Sequence, residues 1–398
     1  MKTAISITAI ASVSPLGETL EAAWSAYSRE QHLLQLMEIG ETEAWAAPLP
    51  GPLKKAIMDS VGNDSMYRDL DTSVHFALYT ARKALLMADW GRGQEIGINI
   101  GSSRGATGVF EKYHGEFLNT GRTSALASPT TTLGNISSWV SHDLQSKGPD
   151  ISHSITCSTA LHALLNGIAW IRSGMAARFI AGGSEAPLTP FTIAQMKALK
   201  IYAPSSPHGS KDTRAGREGH FFPCRALDMG KAGNSMVLGE GASMACLEPG
   251  ISEKSLATID GVGYATEPLE HNVSLSTEAI CFQRSMRMAL GKLPPEAVDI
   301  LIMHAPGTVK GDQAELRAVQ DVFGKKLPAM TSNKWKIGHT FGASGMLSIE
   351  LALLMLRYQQ FIPVPYADDK RRPEEINRVM VNAVGFGGNA VSMLLGRV

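Results

Sequence analysis

Cysteine is scarce in this 398-residue chain, which has four: Cys157, Cys224, Cys246 and Cys281. No two of them form a C-x-x-C pair, which argues against a structural zinc site, and four in so long a chain do not make a disulfide framework. An excess of either charge is missing as well. The 37 basic and 37 acidic residues cancel, so neither a nucleic-acid-binding surface nor a polybasic membrane patch is expected. Long apolar runs are also lacking: no uninterrupted stretch reaches the ~18 residues of a membrane span. The N-terminal MKTAISITAIASVSPLG alternates isoleucine with small and polar residues, which suits a buried strand and turn better than a signal peptide. Low-complexity tracts are absent. A soluble protein of a reducing compartment, most simply the cytoplasm, is the expectation these absences leave. Core material is plentiful, with 44% hydrophobic and 19% charged residues, enough for one large or two medium domains.

Order along the chain repeats. An amphipathic segment, TSVHFALYTARKALLMADW, leads into the β-rich EIGINIGSS, and TEAICFQRSMRMALGKLPPEAVDILIMHAPGT does the same later. In each part a loop then meets a helix rich in small residues: SITCSTALHALLNGIAWIRSG first, KIGHTFGASGMLSIELALLMLRYQQ second. An apolar strand follows each, ARFIAGGSEA and RVMVNAVGFGG. Helix patterns alternating with β-branched runs indicate an α/β layered fold, and the repeated order is compatible with two similar halves, although such alternation is common to α/β proteins. The break falls near 248–256, dividing the chain into 1–250 and 251–398. Residues 202–228, rich in Pro, Gly, Ser and charge, read as a long surface excursion.

Chemistry-bearing residues gather at the junctions. Cys157 follows the strand-like ISHSIT and precedes a helix that begins near Ser158 or Thr159. The positive end of a helix favours thiolate over thiol, which is expected to lower the pKa from about 8.5, and small neighbours leave room for an acyl group. The plainer alternative is a small buried hydrophobe, the reading adopted for Cys224, Cys246 and Cys281. His304 ends the strand VDILIMH, where active-site residues of α/β sheets commonly sit. His339 lies among small residues in SNKWKIGHTFGASG, with Lys334 five positions earlier. Either histidine alone is as well explained by a structural role, as are His153, His162, His208 and His220. Phe386 and Gly387 belong to VGFGGNAV, where glycines permit either a tight turn or a nest of free N–H groups.

Together these segments resemble the elongating β-ketoacyl-acyl carrier protein synthases of the thiolase-fold superfamily, from SITAIASVSPLG to FGGNAVSMLL. The motifs TCSTALHALLNG, IAGGSEAPLTP, HAPGTVKGDQAE, SNKWKIGHTFGASG and GFGGNA stand in the family's order, and His304, Glu315, Lys334 and His339 keep its mutual spacing. The resemblance implies a layered α-β-α-β-α sandwich of two similar halves. It implies Cys157 as acyl-accepting nucleophile, His304 and His339 as drivers of malonyl decarboxylation, and Lys334 and Glu315 as the polar pair behind them. Phe386 would be the gating aromatic, sharing an oxyanion hole with Cys157, and Thr308 would touch the carrier's pantetheine arm. No metal or organic cofactor is implied. The substrates ride on the phosphopantetheine of acyl carrier protein, and the partners are that carrier and a second ketosynthase-like subunit, identical or paralogous. Departures are His304-Ala305-Pro306 for the usual His-Gly-Thr, Lys231-Ala232-Gly233-Asn234 for Arg-Asp-Gly-Phe, Asn389-Ala390 for Thr-Asn, and a divergent stretch between about 28 and 70. They point to a specialised branch, such as polyketide or aryl-polyene-type chain building. A chain-length-factor-like partner without activity is the alternative, disfavoured by the presence of Cys157. A degradative thiolase needs a second, C-terminal cysteine, and none follows Cys281. A cysteine hydrolase would use water where this family uses a carbanion.

Overall fold

The computed structural model describes residues 4–132, 135–205, 221–268, 275–367 and 371–398. Along the chain the elements are β1 (Ile5–Val13), α1 (Leu20–Tyr27), β2 (Gln35–Ile39), β3 (Thr42–Ala47), α2 (Gly51–Ile57), α3 (Thr72–Met87), β4 (Gly97–Gly101), α4 (Thr107–Thr120), α5 (Ala127–Thr131), α6 (Asn135–Leu144), β5 (Asp150–Ile151), α7 (Thr159–Arg172), β6 (Phe179–Glu185), α8 (Pro190–Ala198), β7 (Leu238–Gly239) and β8 (Gly241–Pro249). They continue with β9 (Ala257–Thr266), α9 (Ile280–Leu290), β10 (Ile300–Ile302), α10 (Val309–Phe323), β11 (Ala329–Thr331), α11 (Lys334–Ile337), α12 (Ser344–Tyr358), β12 (Arg378–Gly385) and β13 (Asn389–Gly396).

The large sheet runs β11-β10-β12-β13-β9-β1-β8-β6-β4-β5. Counting each half's own strands in chain order, both read 3-2-4-5-1 across the sheet. In both, the second strand pairs parallel with the third and fourth, and the fifth lies antiparallel to its neighbours. Within this sheet the halves meet where β1 pairs with β9, at Ser6↔Thr258 and Ile7↔Ala257. The repeated order that the sequence suggests is thus a repeated topology.

Burial explains the layering. One apolar cluster combines α7 and α12 with residues of β1, β6, β8, β9, β10, β12 and β13, so these two helices form the central layer. A second cluster packs α3 and α6 on the other side of the first half, and a third packs α9 and α10 on the second. Every residue of α12 from Ser344 to Leu356 is buried, as expected of a helix apolar on all sides. With the turn before it, Phe341–Tyr358 is the one helical run among the described residues with the length and hydropathy of a membrane span, and 89% of it is buried inside the protein.

Two local expectations are corrected. The strand before Cys157 is only Asp150–Ile151; the Ile151 carbonyl accepts from Asn99 Nδ2 (2.7 Å) and Ser137 Oγ (2.7 Å), and the ladder stops there. The excursion at 202–228 is not wholly superficial: Tyr202, Ala203, Phe222, Cys224, Ala226 and Leu227 are buried. Its middle, 206–220 with His208 and His220, lies outside the described residues.

Candidate active site

The site is built from loops and turns that follow strands of both halves, the usual place for a site in α/β folds. Cys157 stands there on a 3₁₀ turn, Thr156–Ser158, that runs directly into α7. Thr156 has φ +46°, an uncommon conformation for a β-branched residue. Thr159 holds it: its hydroxyl donates to the Thr156 carbonyl (2.6 Å) and accepts from the Ile155 amide (2.9 Å). The chain therefore turns sharply and presents the sulfur at a helix tip. A Cβ on Gly385, at the end of β12, would lie 2.0 Å from Thr156 Oγ1, so only glycine lets that strand close against the Cys157 turn.

His304 follows β10, and Ala305 beyond it has φ +24°. Glu315 on α10 secures this bend: its two oxygens accept from the amides of His304 (2.9 Å) and Ala305 (2.8 Å), and Asn382 Nδ2 donates to it at 3.2 Å. Glu315 thus orients His304 through the backbone. His339 is held by its amide, which donates to the Val237 carbonyl at 2.7 Å; its Nδ1 is buried with no hydrogen-bond partner. The two imidazoles face each other edge to face, 5.1 Å between centroids.

Cys157, His304, His339 and Glu315 share the wall of one cavity of about 540 Å³ with Thr308, Gly387 and Phe386. Phe386 is 40% exposed on the turn between β12 and β13, where Gly387 (φ +102°) and Gly388 (φ +70°) supply the backbone path. Lys334 is the sequence candidate that does not reach this wall. It is fully buried, and its Nζ approaches Asn333 Oδ1 (3.3 Å) and Ser348 Oγ (3.5 Å) without a direct bond to Glu315. The expected Lys334–Glu315 pair is therefore two separate supports, linked through their charges alone.

Burial dominates the electrostatics. It pushes the Cys157 thiol up to about 12; Glu185 adds to this and Lys334 opposes it. The expected lowering at the helix tip is overturned, because the sulfur sits in an apolar cluster with Ile193, Met196, Met236 and Phe341, where a thiolate loses its solvation. Burial and the neighbouring Lys334 charge hold His339 down at about 3, and burial with His339 and Lys334 holds His304 well below its ordinary value. Both imidazoles are neutral near pH 7. Burial brings Lys334 down to about 8 and Glu315 up to about 7.

The remaining cysteines are buried free thiols. His153 bonds Asn99 Nδ2 and the Thr159 carbonyl, and His162 the Ser158 carbonyl. Sequence reasoning passed over Phe341, on the cavity wall with φ +39°, and Glu185, a fully buried acid at the end of β6. An acid closing an otherwise apolar strand was the available signal for Glu185. Asp312 was missed as well: it accepts from Lys231 Nζ (2.7 Å) and from the amides of Leu227 and Gly307, fixing the loop between His304 and α10.

Residues 2–251 match the family model "Beta-ketoacyl synthase, N-terminal domain", and residues 256–367 match "Beta-ketoacyl synthase, C-terminal domain". The chain belongs to the β-ketoacyl synthase family. It is 27% identical to 3-oxoacyl-[acyl-carrier-protein] synthase 2 of Coxiella burnetii, covering 100% of this chain and 99% of that protein. It is 26% identical to the protein of the same name from Staphylococcus aureus, covering 97% and 99%. Among solved structures, the ishigamide ketosynthase/chain length factor superposes with TM-score 0.84 at 19% identity, with full coverage of both chains. A β-ketoacyl synthase from Burkholderia phymatum gives 0.83 at 23%, also with full coverage. The ketosynthase in complex with its chain length factor from Xenorhabdus doucetiae gives 0.78 at 19%, covering 100% and 98%. The fold is that of the ketosynthases, and the family is one of carbon–carbon bond-forming acyltransferases.

Proposed function

We propose that this β-ketoacyl synthase performs the decarboxylative condensation of an acyl thioester with malonyl-acyl carrier protein. The observation that carries the reading is the meeting of one thiol and two neutral imidazoles, from opposite halves of the chain, on the wall of one cavity.

The residues fit each step. Cys157 sulfur attacks the acyl thioester carbonyl, its proton passing to a neutral imidazole, and the carrier's thiol leaves. The malonyl thioester then enters. Its carboxylate departs as carbon dioxide, and the electron pair of the broken bond moves onto the thioester as an enolate. Neutral His304 and His339 donate ring N–H to the enolate oxygen, as in an oxyanion hole. The carbanion attacks the acyl-Cys157 carbonyl, whose developing oxyanion would sit against the amides of Cys157 and Phe386. That attack forms the new carbon–carbon bond; collapse of the adduct breaks the carbon–sulfur bond and releases Cys157 as a thiolate, which takes up a proton from solvent. The chemistry requires no metal or organic cofactor. Phe386, exposed at the glycine turn, suits a gate, and Thr308 suits a contact with the pantetheine arm.

The partners in this reading are acyl carrier protein and a second ketosynthase-fold chain, its own copy or a paralogue. A chain-length-factor role is disfavoured, since Cys157 stands in the cavity. The decisive test supplies acyl and malonyl carriers to purified wild type and Cys157→Ala and follows acyl-enzyme mass and carbon dioxide. Wild type should acquire the acyl mass; Cys157→Ala should lose acyl transfer by on the order of 10⁴-fold or more while still releasing carbon dioxide from malonyl carrier. Acylation persisting in Cys157→Ala would overturn the assignment.

A further inference from the structure

Thr308 stands on the cavity wall as the only hydroxyl residue of loop 304–308. It occupies the N-cap position of α10, yet its side chain makes no capping bond, so the hydroxyl is left to the cavity. The two peptide planes that flank Thr308 are both held from one neighbouring segment. Ser235 holds the Gly307–Thr308 plane: its amide and its hydroxyl each donate to the Gly307 carbonyl at 2.9 Å. Asn234 holds the Thr308–Val309 plane: its Oδ1 accepts from the Val309 amide at 2.9 Å. Asn234 Nδ2 donates in turn to the Lys200 carbonyl, also at 2.9 Å, between the cavity-wall residues Leu199 and Ile201. One partner requires an acceptor and the other a donor, so the side-chain amide has a single orientation. Asn234 is half-buried and itself on the cavity wall. It ends the stretch Lys231-Ala232-Gly233-Asn234, where the family's usual Arg-Asp-Gly-Phe would put a phenylalanine with neither group. None of the reaction steps uses it.

We propose that Asn234 is a positioning residue: it fixes the backbone at Thr308 so that the Thr308 hydroxyl meets the amide-bearing arm of the thioester substrate. The proposal rests on the ketosynthase reading and deepens it by naming what aims this contact. Two backbone dihedrals set where a side chain points, and here a hydrogen bond holds the peptide on each side of Thr308. The Val309 amide belongs to the first turn of α10 and has no intrahelical partner, so without Asn234 that peptide is free to turn. The effect reaches the substrate only through Thr308, and it should vanish when Thr308 has no hydroxyl.

The test follows carbon dioxide release from malonyl-pantetheine, which carries the arm without the carrier protein. Wild type is compared with Asn234→Ala, Asn234→Asp, Thr308→Val and the double variant Asn234→Ala/Thr308→Val. KM is the readout, because it does not depend on how much of a variant is folded. Thr308→Val should raise KM by about 2- to 12-fold, the range for one neutral hydrogen bond, while kcat stays within about twofold. Asn234→Ala should raise KM by at least about twofold on the same scale, and should add nothing in the Thr308→Val background. Asn234→Asp keeps the acceptor for Val309 and loses the donor to Lys200, so its KM should stay near that of wild type. An unchanged KM in Thr308→Val or Asn234→Ala would overturn this proposal and leave the ketosynthase reading intact. So would an Asn234→Ala effect of equal size with and without the Thr308 hydroxyl, or equal rises in Asn234→Ala and Asn234→Asp. Failure of wild type to release carbon dioxide from malonyl-pantetheine and malonyl carrier alike would remove the reading and the proposal together.

Discussion

The two halves share a topology, and at one position they can be compared residue for residue. In the first, the 3₁₀ turn Thr156–Ser158 precedes the central helix α7; in the second, Phe341–Ala343 precedes the central helix α12. Both turns open on a residue with positive φ, Thr156 at +46° and Phe341 at +39°. Cys157 in one half therefore corresponds to Gly342 in the other. The first half places its reactive atom at this turn and the second does not. The second half instead loads its strand-end loops, with His304 after β10 and His339 after α11. In the proposed reaction a repeated scaffold divides the work: one half would hold the acyl group, and the other would manage the charge of decarboxylation.

The division is broken most directly at the histidines. His304→Ala and His339→Ala should each lower malonyl decarboxylation by about 10²- to 10³-fold, the loss typical of one oxyanion donor. Acyl transfer to Cys157 should fall by less. Carbon dioxide release at the wild-type rate from either variant would refute the assignment, and equal losses in both half-reactions would show that the halves do not act separately.

The same imidazoles make a second difference visible through pH. His339 titrates at about 3 in the folded chain against an ordinary value of 6.5, so between these values the unfolded chain binds the extra proton. Stability contributed by neutral His339 is fully present above pH 6.5 and is lost as pH falls below it. Between pH 7 and pH 5 this amounts to roughly 2 kcal/mol. Glu315, raised to about 7, acts in the opposite direction but is common to wild type and variant. His339→Gln should therefore lose less stability than wild type over that range in urea titrations. Parallel losses would mean that His339 is protonated in the folded protein.

How much of this was legible in the sequence depends on the distance over which each property is set. Cys157, His304 and His339 announce themselves locally, because a strand end followed by small residues and a helix is written in consecutive positions. The α/β class and the repeat were legible for the same reason. The direction of the Cys157 shift was not, because Ile193, Met196 and Met236, which share its apolar cluster, come from segments far along the chain. Lys334 kept the right spacing, yet its ammonium turns to Asn333 and Ser348, and spacing alone does not say which way a side chain points. Glu185 is significant only because loop 102–105 and Gly342 come together on it, a convergence that no single segment displays.

The smallest effect bears on why the sulfur occurs once. A Cβ at Gly342 would lie 2.6 Å from the Ser103 backbone nitrogen and 3.1 Å from Ser102 C and Cα. Those are main-chain atoms of the loop that also donates to Glu185, so the contact cannot be relieved by turning a side chain. At the matching position of the first half Cys157 carries a side chain, which joins an apolar cluster with Ile193 and Met196 of α8 and with Phe341. Gly342→Ala should destabilise the chain by about 1–3 kcal/mol, the usual cost of overpacking, as read from the urea midpoint at constant slope. It should also disturb loading of Cys157, because Phe341 moves with it. If Gly342→Ala unfolds at the wild-type midpoint, the second turn has room for a side chain, and the absence of a second nucleophile there has no steric cause.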